Sequence, residues 1–285
     1  MGLFEDHIDP RIQSLSHWIG CGALQTHHAK NKQDESEGAK MCRMIAAVGK
    51  IDIDWVVNAA IVMSGGMSAS HELSFPCPAN SGCGIRHLDG WGVAYLRPGG
   101  SSHCLKSALP IGTDALADTI RSIECTALVL HVRCASREDQ KGPEYVHPIE
   151  IENDGHKYYF FHNGFAPDVH SMVGRSAGGW DSKDLMVWLK PALVGKFNRS
   201  ALLEQLTQLP ASTTAANCLC LGPDGITVVN WFSNKIGYQQ YHTMHMLQDA
   251  DVQIISSEQI RYRNENEAWR PVGNGSIFQI PYAKI

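Results

Sequence analysis

The stretch GAKMCRMIAAVGK, residues 38–50, contains the feature that decides the fold of this chain. Cys42 follows Met41 directly and precedes a short apolar run, which is typical of a buried strand. That order suits a protein whose first residue is a cysteine nucleophile, although here it begins at position 41. Taken alone, Cys42 is better explained as a small buried hydrophobic residue. The choice between the two interpretations depends on the residues that accompany it.

The composition is that of a globular protein. The 285 residues are 44% hydrophobic and 19% charged, and the net charge of −5 gives no general attraction to nucleic acid. No stretch approaches the about 18–20 uninterrupted apolar residues of a membrane span. The N-terminus is acidic where a secretory signal is basic, so a cytoplasmic protein is expected.

The cysteines and glycines give no sign of a metal or a cofactor. Nine cysteines without regular spacing are predicted to be free thiols. Cys77, Cys83 and His87 form a weak zinc candidate, because a structural site needs a fourth ligand. The glycine-rich segments GGMSAS and SAGGW lack the lysine of a phosphate-binding loop. We therefore expect neither a metal nor a cofactor.

The pattern along the chain predicts an extension followed by one α+β domain. Residues 1–41 are mostly polar and read as an N-terminal extension, whereas 42–285 alternate between strand and helix patterns without a long linker. Asp54 is a candidate N-cap for a helix that ends near Gly65. Hairpin-like strands come late, and one is expected in KIGYQQYH, residues 235–242. Such an order indicates at least one mixed or antiparallel sheet.

Two predicted strands, in HVRCAS and FFHNG, end in polar residues, and the segment VHPIE places a histidine before a proline. HVRCAS contains Arg133, VHPIE contains His147, and FFHNG ends in Asn163 and Gly164. Each has a structural explanation as well: Arg133 as a surface ion-pair residue, and Asn-Gly as a hairpin turn. Asp181, in WDSKDLMVWL, is also a candidate helix cap.

Together, these segments resemble the class II glutamine amidotransferases, whose mature chains begin with a cysteine nucleophile. MCRM is similar to the opening of that family, and HLDGWGVAY (87–95) to a segment of its small stand-alone members. HVRCAS is similar to the strand that carries the substrate arginine, HNG to the oxyanion motif, and WDSKDLMVWL to the S-D-[ST]-E segment. The order of the segments carries the resemblance, more than any single one of them.

The resemblance implies a four-layer α-β-β-α sandwich of the N-terminal-nucleophile hydrolase type and an amide hydrolase acting on glutamine or another γ-glutamyl amide. Cys42 would form a γ-glutamyl thioester, with its own α-amine as the base. The remaining roles implied are oxyanion stabilisation by Asn163 and Gly164, substrate binding by Arg133, His147 and Asp181, and a pocket wall that includes Asp89 and Trp91. Asp184 competes with Asp181, because Lys183 departs from the family pattern.

The extension before Cys42 leaves the mechanism open at one point, because an acylated amine cannot accept a proton. Translation starting at Met41, removal of a propeptide, and retention of the extension are the three explanations. Retention favours a non-catalytic module that binds γ-glutamyl ligands. A more distant alternative is a cysteine hydrolase that uses Cys134 or Cys83 with His147. No acceptor domain is expected within 42–285, so a separate ammonia-accepting synthase is a candidate partner.

Overall fold

The computed structural model describes residues 41–66, 86–235, 239–263 and 268–282. All but the last residue of the predicted extension lies outside these ranges, as do Cys77 and Cys83. The described residues contain the whole stretch from Met41 to Lys50 in which Cys42 precedes an apolar run. That run is the first strand, Arg43–Gly49, and its first six residues are buried.

The first sheet has seven antiparallel strands with the first strand, β1, near its centre. β1 pairs with β4 on one side and with β10 on the other. The order across the sheet is β11-β9-β10-β1-β4-β2-β3. Its strands are β1 (Arg43–Gly49), β2 (Trp91–Leu96), β3 (Ser102–Ser107), β4 (Ala127–Val132), β9 (His245–Gln248), β10 (Val252–Ser256) and β11 (Arg270–Pro271).

The second sheet has five antiparallel strands in the order β12-β8-β7-β6-β5. Its strands are β5 (Ile149–Asn153), β6 (His156–Phe165), β7 (Ala215–Leu221), β8 (Gly225–Asn230) and β12 (Ser276–Pro281). The register of β6 against β7 places Asn163 opposite Asn217. Because β6 continues to Phe165, Asn163 and Gly164 lie inside a strand, and the alternative of a hairpin turn at this dipeptide is wrong.

Six helices accompany the sheets in the described residues: α1 (Ile53–Ser64), α2 (Leu116–Arg121), α3 (Val169–Met172), α4 (Asp181–Leu193), α5 (Arg199–Thr207) and α6 (Gln239–His242). The N-cap of α1 is Asp52, whose carboxylate accepts a hydrogen bond from the Trp55 amide at 3.0 Å, so the expectation for Asp54 is wrong by two residues. Among the helices described, none is long and apolar enough to cross a membrane.

Three apolar clusters establish the order of the layers. On β1, Ile45 and Ala47 pack towards α1 and α2, whereas Met44, Ala46 and Val48 pack against the second sheet. The far face of the second sheet packs against α4 and α5. This alternation follows from the two-residue period of a strand. The predicted α-β-β-α sandwich of the N-terminal-nucleophile hydrolase type is confirmed.

Candidate active site

Cys42 lies immediately before β1, at one end of the space between the sheets. By strand alternation it is on the same face as Met44, which packs against the second sheet. Its thiol donates a hydrogen bond to the carbonyl oxygen of Cys134 at 3.6 Å. Burial raises the pKa of the thiol, with Arg133 opposing the rise and Asp181 adding to it. A thiol in this setting is neutral at rest and needs a base before it can attack.

The peptide bond between Met41 and Cys42 is held on its carbonyl side. Met41 is buried, and its carbonyl oxygen lies 2.7 Å from Nε2 of His87. Nδ1 of the same ring lies 3.0 Å from the carbonyl oxygen of Met63, near the end of α1. With Met41 attached, the nitrogen of Cys42 is an amide and cannot act as a base.

Arg133 follows the end of β4 and is buried. Its amide donates to Gly90 at 2.8 Å, and its carbonyl oxygen accepts from the Asp89 amide at 3.0 Å. The β1–β4 register pairs Arg43 with Val132, so one further step places Arg133 beside Cys42. Within the described residues, Nη1 of Arg133 is buried without a hydrogen-bond partner. A buried guanidinium in this state is suited to a carboxylate ligand.

Asp89 and Trp91 were both predicted to form the pocket wall, and the structure gives them different surroundings. The carboxylate of Asp89 accepts from the Ala135 amide at 2.8 Å and lies 3.3 Å from the ammonium of Lys141, so it holds the loop that follows Arg133. Trp91 lies in the core cluster between the first sheet and its helices, where its indole donates to Asp114 at 3.0 Å. The wall role of both residues stays a prediction.

Asn163 and Gly164 lie near the end of β6. Phe161 packs in the apolar cluster between the second sheet and β1. Asn163 is two residues further along β6, so its side chain is on the same face of the sheet. Its amide nitrogen donates to Ser257 at 3.4 Å, and the Ser257 hydroxyl accepts from the Met44 amide at 2.9 Å. A Cβ at Gly164 would lie 1.9 Å from the carbonyl oxygen of Ala215. Position 164 therefore admits only glycine.

The two competing acids of α4 have different partners. Asp184 is buried and forms an ion pair with Arg175 at 2.7 Å. Asp181 accepts from the Ala166 amide at 2.9 Å and from the Ser182 amide at 2.8 Å, and its charge acts on the Cys42 thiol. The N-cap of α4 is Trp180, which makes no side-chain capping bond, so the interpretation of Asp181 as the helix cap is wrong: Asp181 is the first residue of the helix. Its carboxylate joins the start of α4 to Ala166, and its charge acts on the nucleophile.

His147 lies in a cluster of buried rings between the sheets. Its ring centroid is 4.4 Å from that of His131 and 4.9 Å from that of Trp180. Burial lowers the pKa of both histidines well below the usual value, so both rings are neutral. In the described part of the chain neither ring nitrogen of His147 has a hydrogen-bond partner.

A cavity of about 230 Å³ opens beside Asp181. It is formed by the loop after β4, the end of β6 and the loop before α4. The residues that line it are Ser136, Arg137, Gln140, Phe165, Pro167, Gly178, Gly179 and Asp181. Its size suits an amino-acid-sized ligand whose charged end reaches Asp181.

Comparison with known protein families places the chain. Residues 59–268 match the model of the family described as "Glutamine amidotransferases class-II". This chain is a class II glutamine amidotransferase family member. The matched residues begin within α1 and include Arg133, Asn163 and Asp181, whereas Cys42 lies before them. A comparison with curated protein sequences gives no match.

Two solved structures share the fold at low sequence identity. Glutamine phosphoribosylpyrophosphate amidotransferase from B. subtilis is 15% identical, with a TM-score of 0.54 over 86% of this chain and 50% of that one. A structure described as the allosteric regulatory enzyme of purine biosynthesis is 16% identical, with a TM-score of 0.57 and the same coverage. The chain spans about half the length of these proteins.

This chain also contains a buried ion pair next to Cys42, between Arg43 and Glu258, which was not predicted from the sequence. Nη1 of Arg43 donates to the carbonyl oxygen of Cys42 at 2.9 Å, and Nε lies 2.5 Å from the carboxylate of Glu258. The guanidinium of Arg43 also stacks on Tyr241 at 4.4 Å. The one available signal was an arginine at the start of an otherwise apolar strand. Its partner, 215 residues away, had no signal of its own.

Proposed function

We propose that this chain hydrolyses the side-chain amide of glutamine, or of a related γ-glutamyl compound, through Cys42. The thiolate attacks the amide carbon, the C–N bond breaks, and the amine leaves with a proton as the γ-glutamyl thioester forms. Water then hydrolyses the thioester and restores the thiol. The observation that carries this proposal is the position of Cys42 beside the buried Arg133, together with the charge of Asp181, which also acts on the Cys42 thiol.

Those two charges fit the amino-acid end of a glutamyl substrate. The α-carboxylate would pair with Arg133, whose Nη1 has no partner among the described residues, and the α-ammonium would pair with Asp181. Asp184 is less suited to the ammonium, because Arg175 already neutralises it. The cavity beside Asp181 has room for the ammonium end of the ligand, although Cys42 and Arg133 are not among the residues that line it. His147 would line the pocket as a neutral ring.

Asn163 and Gly164 would stabilise the oxyanion that forms when the thiolate attacks. The side-chain amide of Asn163 is buried near β1, and the absence of a side chain at Gly164 leaves the backbone of β6 close to β7. Preorganised donors of this kind cost no reorganisation during the reaction, and removal of one typically lowers the rate about 10²–10³-fold.

The proposed base is the free α-amine of Cys42, which has an ordinary pKa of about 7.7–8.0. It becomes available only when residues 1–41 are absent, either because translation starts at Met41 and this methionine is then removed, or because a propeptide is cleaved off. We therefore propose that residues 1–41 are an extension and that 42–285 form the amidotransferase domain. The released ammonia goes either to water or to a separate synthase.

Intact-mass spectrometry of protein expressed from the full reading frame tests the proposal, before and after treatment with a diazoketone analogue of glutamine. We expect a mass that begins at Cys42 and a single adduct on that residue. Cys42→Ala should lose both the adduct and glutaminase activity. The matched control is Cys134→Ala, which removes the neighbouring thiol and should retain both.

Two outcomes would contradict the proposal. Activity that survives in Cys42→Ala but not in Cys134→Ala would favour a hydrolase that uses Cys134. Retention of the residues before Cys42 and absence of an adduct, both in protein expressed from the full reading frame and in protein expressed from Met41, would favour the non-catalytic ligand-binding module. The second outcome has a physical basis, because Met41 is buried and its carbonyl oxygen lies against His87.

A further inference from the structure

His87 lies next to the backbone of Cys42 and has no role in the mechanism above. Its ring is fully buried, and its amide donates to the carbonyl oxygen of Ser64 at 2.8 Å, which anchors it to the end of α1. Both ring nitrogens face carbonyl oxygens: Nδ1 faces Met63 at 3.0 Å, and Nε2 faces Met41 at 2.7 Å. The oxygen of Met41 belongs to the peptide bond that ends at Cys42.

In this arrangement only one of the two contacts between the ring nitrogens and the carbonyl oxygens can be a hydrogen bond. Burial and the nearby charge of Arg43 lower the pKa of His87 to about 3, so the ring is neutral and carries one N–H. One N–H can donate to one carbonyl oxygen, which leaves the other oxygen facing an unprotonated nitrogen. A buried contact of that kind is unfavourable.

Loss of Met41 removes the conflict. The nitrogen of Cys42 is two covalent bonds from the Met41 oxygen, which places it about 2.2 Å from where that oxygen lay. With Nδ1–H donating to Met63, the lone pair of Nε2 then faces an amine, which is a donor. The surroundings of His87 therefore fit a free N-terminus better than they fit an acylated one.

We propose that His87 is a positioning residue that accepts a hydrogen bond from the α-amine of Cys42 in the processed enzyme. This inference rests on the proposed function, in which that amine is the base. One N–H of the amine is held by Nε2, so rotation about the bond from nitrogen to Cα is restricted and the lone pair is directed towards the thiol. The amine takes the proton of the Cys42 thiol and later returns it to the leaving amine.

The contact also sets the pH at which the amine becomes a base. An acceptor beside the amine stabilises its protonated form, so removal of that acceptor lowers the pKa of the amine. Other titratable groups interact electrostatically with the same region. Arg43 on β1, Arg133 after β4 and Asp181 on α4 act on Cys42. His131 on β4, which has a neutral ring, interacts with His87. These groups remain when His87 alone is replaced.

Two substitutions separate the two nitrogens of the ring. His87→Asn can keep a donor near the position of Nδ1, towards Met63, but has no acceptor at the position of Nε2. His87→Gln can place an amide oxygen near Nε2. Both variants are expressed from the full reading frame and checked by intact mass and melting temperature. Their glutaminase activity is then assayed from about pH 5 to pH 9, a range that spans the titration of the amine.

We expect His87→Asn to lower kcat at least about tenfold with little change in KM, because the substrate contacts are untouched and only the base is displaced. The acid limb of kcat/KM should move to lower pH. His87→Gln should retain a larger share of kcat. A merely structural role at the end of α1 predicts the reverse order, because Asn keeps the bond to Met63.

Several results would overturn the proposal. Wild-type kcat and an unshifted pH profile in a processed His87→Asn variant would overturn the role of His87 alone. A variant that folds but retains residues 1–41, while the wild type loses them, would assign the ring to the Met41 carbonyl oxygen instead of the amine. A wild-type protein that does not label at Cys42, whether expressed from the full reading frame or from Met41, would overturn the proposed function and this inference together.

Discussion

The space between the two sheets has an apolar end and a polar end, although the same strands build both. On β7, Leu221 lies in the apolar cluster and Asn217 lies at the other end of the same face. On β6, Tyr159 and Asn163 differ in the same way. Apolar burial stabilises the fold directly, whereas each buried polar atom needs a partner. The apolar end therefore stabilises the packing of the two sheets, and this stabilisation offsets the cost of burying polar groups at the other end.

The polar end itself contains two kinds of side chain. Asn217 donates to His242 at 2.6 Å and accepts from Trp231 at 2.9 Å, and Asn230 is paired in the same way with Val272 and Met244. Arg133, His147 and Asn163 instead keep buried polar atoms without a partner in the residues described. The paired asparagines are structural, and the unpaired atoms are where a polar ligand gains most.

Replacement of Arg133 by methionine tests this difference most strongly. We expect kcat/KM for glutamine to fall about 10³-fold, because loss of one partner from a buried charge pair costs about 2–5 kcal/mol. The free energy of unfolding should stay constant or rise, since the unliganded protein loses a buried charge without a pair. Steady-state kinetics and urea denaturation measure the two effects.

Arg97→Met is the control for this experiment, because Arg97 is an exposed arginine just after β2. It should change neither quantity. If Arg133→Met instead lost more than about 2 kcal/mol of stability and kept its kcat/KM, Arg133 would belong with the structural residues of the polar end.

Replacement of Leu221 by alanine tests the apolar end. Leu221 is fully buried between the sheets. The free energy of unfolding should fall by about 2–5 kcal/mol, because the change removes apolar contacts and leaves a cavity. The kcat/KM of the remaining folded protein should be unchanged. A loss of kcat/KM larger than about tenfold, measured well below the melting temperature, would mean that the two ends are not independent.

The sequence was sufficient for features that depend on local pattern. The apolar run after Cys42 predicted β1, and strand and helix periods predicted the class of fold. The strand predicted in KIGYQQYH is wrong for its second half, because Gln239–His242 is helical and Tyr241 and His242 are buried next to each other, without strand alternation; residues 236–238 lie outside the described ranges. Polar residues at the strand ends indicated the site, because buried polar side chains are unfavourable unless they have a partner or a ligand.

Features that depend on distant residues were not predictable in the same way. Glu258 pairs with Arg43 across 215 positions, and Ser257 bonds to Asn163 across 94. Nothing in IISSE signals either contact: the first arises when β10 lies beside β1, and the second when the two sheets pack against each other. The role inferred for His87 likewise depends on two carbonyl oxygens that belong to other segments of the chain.

Acid pH should weaken the polar end through its neutral histidines. Burial lowers the pKa of His131 and His147 well below 6.5, and that of His87 to about 3. In the unfolded chain these rings take up protons near pH 6.5, so the unfolded state binds more protons below that value. Their stabilisation is complete above pH 6.5 and is lost as the pH falls towards the folded value, which for His87 is about 3.

Each buried ring contributes a slope of up to about 1.4 kcal/mol per pH unit to the free energy of unfolding. His147→Gln should reduce the total slope between pH 6 and pH 4 on that scale, as measured by urea denaturation at several pH values. His103→Gln, at an exposed position on β3, is the control and should leave the slope unchanged. If both substitutions changed the pH dependence of the free energy of unfolding equally, the buried ring of His147 would not be its source.

The smallest expected effect distinguishes Asp181 from Asp184, which begin the same helix. Asp181→Asn should raise KM for glutamine about tenfold, which corresponds to about 1.4 kcal/mol, because the charge opposite the α-ammonium is lost. Asparagine can still accept one of the two backbone hydrogen bonds that Asp181 accepts, so only a small loss of stability should accompany the change.

Asp184→Asn provides the matched comparison. It removes the charge that pairs with Arg175, so the free energy of unfolding should fall by about 1 kcal/mol while KM stays constant. The reverse result, with KM raised by Asp184→Asn alone, would move the amine site deeper into α4 and would separate it from the Cys42 thiol. Because the charge of Asp181 acts on that thiol whereas Asp184 is paired with Arg175, KM is the quantity on which the two residues must differ.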